Sequence, residues 1–152
     1  THLMVRGDFV LGLQALFLND YIHIKRTNGS DLAFLDDADK YCPDAVYPGD
    51  KVMQLVHSGP DSEYPSILQW MLKMVSMAKK TINIATPYFV PTESLQEALK
   101  VAALGGVEIN ILFPGRYDHY IVYQASQTYL RELLKYGAKI YFYDKAAFVH
   151  SK

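Results

Sequence analysis

Residues 81–143 decide the fold: TINIATPYFVPTESLQEALKVAALGGVEINILFPGRYDHYIVYQASQTYLRELLKYGAKIYFY. Thr81 to Thr86 (TINIAT) is a short run rich in β-branched residues and predicts a strand. Pro87-Tyr88-Phe89-Val90-Pro91 follows, a loop fenced by two prolines. Thr92 is a helix cap, the helix runs through Leu104, and Gly105-Gly106 stops it. Val107 to Phe113 (VEINILF) is the next strand, and Pro114-Gly115 turns the chain. Asp118 to Lys135 predicts a helix that ends at Gly137, and Ala138 to Tyr143 (AKIYFY) a further strand.

Working outward, Val52 to Val56 predicts a strand that enters a turn at His57-Ser58-Gly59-Pro60. Pro65 suits a first helical position, and Ile67, Leu68, Met71, Leu72, Val75 and Ala78 form an apolar helix face. Met71, Met74 and Met77 read as packing on that helix. Asp144-Lys145 turns the chain into a last strand, Ala146 to Lys152, which predicts a hairpin. Strands alternating with helices imply right-handed crossovers. The fold class is therefore α/β, with a mixed, mostly parallel sheet flanked by helices on both faces. In such a sheet, ligands sit beyond the carboxyl ends of the strands.

The N-terminal third is different. His2 to Arg6 predicts a short strand, and Asp8 caps a helix from Phe9 to about Tyr21. Residues 27–50 are rich in aspartate, with Asn28-Gly29 and Pro48-Gly49 as turn signals. They read as an acidic connecting loop, because their spacing matches no calcium loop.

The chain has 152 residues, 50% hydrophobic and 20% charged, with a formal net charge of -1. That excludes a disordered tail and argues against a highly basic nucleic-acid module. Cys42 is the single cysteine and cannot form an internal disulfide. No apolar stretch reaches the roughly 18 residues that a spanning helix needs. Residue 1 is Thr rather than Met, and both ends look like cut points in a longer protein. No G-x-G-x-x-G, Walker lysine, G-x-S-x-G or H-E-x-x-H is present.

His150 and Lys152 lie two apart on the predicted last strand, so they share a face. An imidazole beside an ammonium suits phosphate chemistry. The histidine attacks phosphorus or protonates a leaving oxygen, and the lysine neutralises the non-bridging oxygens. By itself the pair is weak, since an H-x-K arises by chance in roughly one such chain in three. His23-Ile24-Lys25 is a decoy of the same spacing at a helix end, where the two side chains diverge.

Context strengthens His150 and Lys152. The run KKTINIATPYFVPTESLQEALKVAALGGVEINILFPGRYDH from Lys79, followed by KYGAKIYFYDKAAFVHSK, resembles bacterial cardiolipin synthases of the phospholipase D superfamily. The colinear order of SGP, TPYFVP, the L-x-x-A-L-x-x-A-A-x-x-G-V helix, the Asp-His after the next strand and F-x-H-x-K carries the likeness. The opening THLMVRGDFVLGLQALFLNDY is similar to the segment after that family's first catalytic motif. The family signature, H-x-K-x4-D, occurs twice in a full-length enzyme, and the two copies face one active site. The resemblance thus implies three segments: residues 1–26 after a first motif, residues 27–50 as connector, and residues 51–152 as a second phospholipase D-like repeat. The sheet would be incomplete at its C-terminal edge, because the signature aspartate falls beyond Lys152. In the decoy, Ser30 holds the aspartate's place.

The resemblance implies a phosphohistidine mechanism. One histidine carries the phosphatidyl group, the other acts as acid and then base, and two phosphatidylglycerol molecules give cardiolipin and glycerol. No metal or organic cofactor is implied. Partners would be phosphatidylglycerol and membrane lipid, with no nucleic acid. The whole protein would sit at a bacterial cytoplasmic membrane, while this span alone would be soluble and inactive. Apolar surface left by the missing half can drive a homodimer. Candidate substrate-binding residues are Tyr88, Ser58 and His57, on loops at the strand ends. Asp118 reads as a helix cap. Two alternatives stand beside this: another phosphodiesterase of the superfamily, acting on phospholipid or nucleic acid, and a non-catalytic α/β binding module.

Overall fold

Three short β-branched or aromatic runs, each followed or preceded by a capped amphipathic helix, build the sheet that positions the site. The structure, a computed structural model, describes residues 3–42, 49–59, 62–144 and 149–151. The chain forms two units, residues 2–56 and 57–152.

Helix α1 (Phe9–Thr27) belongs to the first unit, and in the second unit the order is α2 (Ser66–Met77), β1 (Thr81–Ala85), α3 (Glu93–Leu104), β2 (Glu108–Pro114), α4 (Tyr120–Leu134) and β3 (Lys139–Tyr143). The strands lie side by side as β1-β2-β3, both pairs parallel. Ile84 stands opposite Ile111, and Ile111 opposite Ile140. The expected α/β class is what the chain adopts; the sheet, expected to be mixed and mostly parallel, is parallel among the described strands. Thr92 caps α3 by accepting from the Leu95 amide at 3.4 Å. Gly106 and Gly137 take φ of +88°, the left-handed conformation that closes a helix end and favours glycine.

Alternation sorts the two faces of β2. Ile109, Ile111 and Phe113 are buried beneath Leu99 of α3 and Leu130 and Leu133 of α4. Glu108 and Leu112, on the other face, are exposed. There Lys139 pairs with Glu108 at 2.7 Å and Asn110 donates to Asn83 at 3.1 Å. Helix α2 packs on α3 and α3 on α4, so the described helices of this unit share one face. Successive right-handed crossovers that advance in one direction have this result, whereas cover on both faces needs a reversal of strand order.

One charged group is drawn into the helix layer. Lys100 is 7% exposed and donates to Glu97 at 2.6 Å and to Glu132 across the α3–α4 seam. Those hydrogen bonds, Glu132 first, hold its ammonium above the ordinary lysine range.

At the carboxyl end of the sheet, the Gly115 amide donates to the Tyr143 carbonyl at 2.9 Å. A Cβ at Gly115 would itself lie 2.9 Å from that oxygen, closer than real Cβ contacts come. Gly115→Ala must therefore part the ends of β2 and β3. The expected loss is about 1–3 kcal/mol, read as a lower guanidinium midpoint; an unchanged midpoint would contradict the close approach.

In the first unit, α1 (Phe9–Thr27) runs past Tyr21, where the apolar spacing fades. Its last turns close through local contacts instead. The Thr27 hydroxyl donates to the His23 carbonyl at 2.9 Å, and the Lys25 ammonium lies 5.5 Å from the Tyr21 ring centroid. The decoy His23 and Lys25 thus lie within a helix. Asp8 takes the cap position but makes no side-chain cap bond. The acidic stretch contains a 3₁₀ segment, Ala33–Tyr41, kinked at Asp37, whose Phe34 ring meets Tyr21 and Tyr41 edge-on.

Three expected strands need correction or lie out of view. Residues 3–6 and 52–56 are irregular. A strand is fixed by its ladder partner, and the sheet has no fourth strand among the described residues. Leu55 instead lies beside Gly12 of α1, 3.7 Å from the place of a Cβ there. Of the predicted last strand, residues 149–151 are irregular, while 145–148 and 152 lie outside the described residues, as do residues 1–2 and Pro60.

Candidate active site

Parallel strands in register bring their carboxyl ends to one edge of the sheet, and the loops that leave β1 and β2 emerge there. The loop after β1 begins with the Thr86 amide donating to the Leu112 carbonyl of β2 at 3.2 Å. Within this loop the Tyr88 amide donates to the Thr86 hydroxyl at 3.3 Å, and that hydroxyl donates to the Tyr88 carbonyl at 3.2 Å. The next amide, Phe89 N–H, donates at 3.0 Å to Oγ of Ser126, which is fully buried in α4. Ser126 Oγ in turn donates to the Val122 carbonyl at 2.9 Å. The Phe89 side chain is buried in the core. The backbone on either side of Tyr88 is therefore pinned.

The Tyr88 side chain reaches the loop after β2. Its hydroxyl donates to Oδ2 of Asp118, and Oδ1 of Asp118 accepts the His119 amide at 2.7 Å. His119 Nε2 lies 3.9 Å from Oδ2, and the His119 ring centroid is 6.3 Å from that of Tyr88. The Tyr88 hydrogen bond holds the Asp118 carboxyl below its ordinary range. The same bond is the main cause that raises the Tyr88 phenol above its own. Both shifts keep the proton on the phenol and the charge on the carboxylate.

His150 completes the cluster. Its imidazole meets the Tyr88 ring edge to face, with centroids 6.3 Å apart and planes at 83°. The histidine is exposed and lies in the irregular residues 149–151.

Of the site residues expected from sequence, the structure brings Tyr88 and His150 together. Lys152 lies outside the described residues. Ser58 sits in a local turn, where its hydroxyl donates to the Tyr64 carbonyl at 3.4 Å and the neighbouring Gly59 amide donates to Ser62 Oγ at 2.8 Å. His57 is exposed beside it. Asp118 is not the helix cap: α4 begins at Tyr120, with His119 in the cap position. Asp118 spends its oxygens on Tyr88 and on its neighbour's amide. Sequence reasoning missed Ser126 altogether. The available signal was a polar residue in the helical stripe of Val122, Leu130 and Leu133, where an apolar one is the norm.

An accessible imidazole backed by a phenol–carboxylate pair can act as a nucleophile toward phosphorus or as a proton carrier. Among the described residues, no group of three His, Cys, Asp or Glu side chains is arranged to hold a metal ion.

Comparison with known proteins adds the family. The model described as "Cardiolipin synthase, PLD-like domain" matches residues 71–152. Cardiolipin synthase of Listeria welshimeri is 42% identical over 152 residues, which is all of this chain and 30% of that protein. The major cardiolipin synthase ClsA of Bacillus subtilis is 40% identical over the same span, again 30% of its length. Cardiolipin synthase of Geobacillus thermodenitrificans is 41% identical, over 29% of its length. The chain thus spans about a third of these relatives. The solved polyphosphate kinase of Porphyromonas gingivalis aligns with 55% of this chain at 13% identity and a TM-score of 0.39, too faint a likeness to bear on the site.

Proposed function

The chain belongs to the cardiolipin synthase, phospholipase D-like domain family, and from that premise we propose that it is part of a phosphatidyltransferase that makes cardiolipin from two phosphatidylglycerol molecules. The supporting observation is His150, the histidine of the H-x-K pair, set at the carboxyl end of the parallel sheet against Tyr88. His150 and Lys152 are assigned as catalytic, with Ser58 and His57 as residues that receive the substrate and Tyr88 lining the site beside His150.

The chemistry is a double displacement. An imidazole nitrogen attacks phosphorus of the first phosphatidylglycerol, and a nitrogen–phosphorus bond forms. The bond to the head-group glycerol oxygen breaks, and that oxygen takes a proton from the second histidine and leaves as glycerol. A glycerol hydroxyl of the second phosphatidylglycerol then gives its proton to the second histidine and attacks phosphorus. The nitrogen–phosphorus bond breaks and cardiolipin departs. The ammonium of Lys152 offsets charge on the non-bridging oxygens. The second histidine belongs to the family's other copy of the signature.

The whole protein works at a bacterial cytoplasmic membrane, where both substrates reside. Among the described residues, no helix is long and apolar enough to cross a membrane.

The full-length protein in mixed micelles with phosphatidylglycerol should release cardiolipin and glycerol in equal amounts. The 152-residue chain alone should release neither, because double displacement needs both histidines. Phosphatidic acid as sole product would identify a phosphodiesterase, and no product from the full-length protein a binding module. Cardiolipin from the 152-residue chain would refute the two-histidine account.

A further inference from the structure

The His150 imidazole rests edge to face against the Tyr88 ring, with centroids 6.3 Å apart. Catalysis at phosphorus requires the attacking or proton-donating nitrogen to be aimed within narrow limits, and a misplacement of about 1 Å can cost 100-fold. A rigid neighbour in contact with the ring contributes to that aim.

Tyr88 has the needed rigidity. Its attachments include the Thr86 hydroxyl on its amide, Asp118 on its phenol and Ser126 on the following amide. Asp118 and Ser126 lie far off in sequence and come from different elements, the loop after β2 and the buried stripe of α4. With its backbone and hydroxyl fixed, the ring keeps one orientation, and the imidazole rests against it edge to face. Packing alone would not call for a carboxylate on the phenol, since a phenylalanine ring would fill the same space. The carboxylate stays ionised and the phenol protonated, so the donor–acceptor sense of the bond is fixed.

We propose that Asp118 is a positioning residue for His150, acting through the Tyr88 ring, with the Ser126–Phe89 hydrogen bond as the anchor of that ring. Tyr88 on this account orients the histidine by its ring and spends its hydroxyl on Asp118, so the hydroxyl does not serve as a phosphate donor. The inference rests on the phosphatidyltransferase assignment above.

The test uses the full-length enzyme with phosphatidylglycerol in mixed micelles, measuring kcat and KM separately alongside the melting temperature. Tyr88→Phe keeps the ring and loses the tether; Asp118→Ala loses the acceptor. Each should lower kcat by about 10- to 100-fold and leave KM within about twofold. The double variant should be no slower than the slower single one, because both changes cut the same bond. Asp118→Asn should recover most of the rate, since its amide oxygen still accepts from the phenol.

A kcat unchanged in both single variants, with only the melting temperature lowered, refutes positioning. A raised KM in Tyr88→Phe alone makes the hydroxyl a substrate contact and also refutes it. So does an Asp118→Asn variant no faster than Asp118→Ala. A His150→Gln control separates this inference from the assignment beneath it. If that variant is dead while Tyr88→Phe and Asp118→Ala run at full rate, positioning fails and the assignment stands. If His150→Gln is fully active, the assignment itself fails.

Discussion

On the proposed function, His150→Gln in the full-length protein should abolish cardiolipin formation and leave the melting temperature where it was. The two halves of that result have separate causes. Stability is spared because His150 is exposed, so its side chain lies outside the core. Glutamine keeps polarity and approximate size but has neither a basic nitrogen nor a titratable proton near neutral pH. Whether His150 is the nucleophile or the acid, one half-reaction loses its reactive group. Removing one member of such a catalytic unit costs about as much as removing several, and losses on the order of 10⁴- to 10⁶-fold are typical. Cardiolipin release within tenfold of the unmodified enzyme, measured from labelled phosphatidylglycerol, would remove His150 from the mechanism.

The second large effect is on folding. Phe113→Ala lowers the stability of the second unit by about 3–5 kcal/mol. Phe113 is fully buried at the end of β2, with the Tyr123 ring of α4 5.4 Å away and the Phe142 ring of β3 6.3 Å away. The substitution removes a ring that meets both of these elements. Among the described residues the sheet beneath is three strands wide and pinned by rings, so it relaxes poorly into the space. Because a domain holds about 5–15 kcal/mol in all, the loss takes a large share. It should appear as a lower guanidinium midpoint with the slope preserved. A midpoint shift worth less than about 1 kcal/mol would mean that the site collapses freely. Phe113 also lies one residue before Pro114 and two before Gly115, where the site loop begins, so catalysis should fall along with stability.

Much of the fold was legible in local sequence. Thr81–Ala85, Glu108–Pro114 and Lys139–Tyr143 fall within a residue or so of the strands that the β-branched and aromatic runs predict. Helix α3 begins after the expected Thr92 cap and stops at the expected glycines. These signals act over a few residues, and each residue's own φ/ψ preference or neighbour four positions away enforces them. Residues 52–56 show the limit. Their alternation is strand-like, yet alternation records which faces are apolar and does not supply a partner. The end of α1 shows the converse, since Ile22 to Thr27 lack a regular apolar stripe and are helical through hydrogen bonding and a lysine–ring contact.

The site divides in the same way. By itself the sequence determined the βα order, the parallel class of the sheet and the H-x-K pair with its family context, because all of these are written in short-range spacing. Only the tertiary structure decided that Tyr88 and not Ser58 lies against His150, that Asp118 holds a phenol rather than capping a helix, and that Ser126 anchors the loop between them. The last two of those contacts join residues 30 and 37 positions apart. They depend on the register of three strands and on how two helices cross above them, sums of many small packing energies that no local pattern encodes.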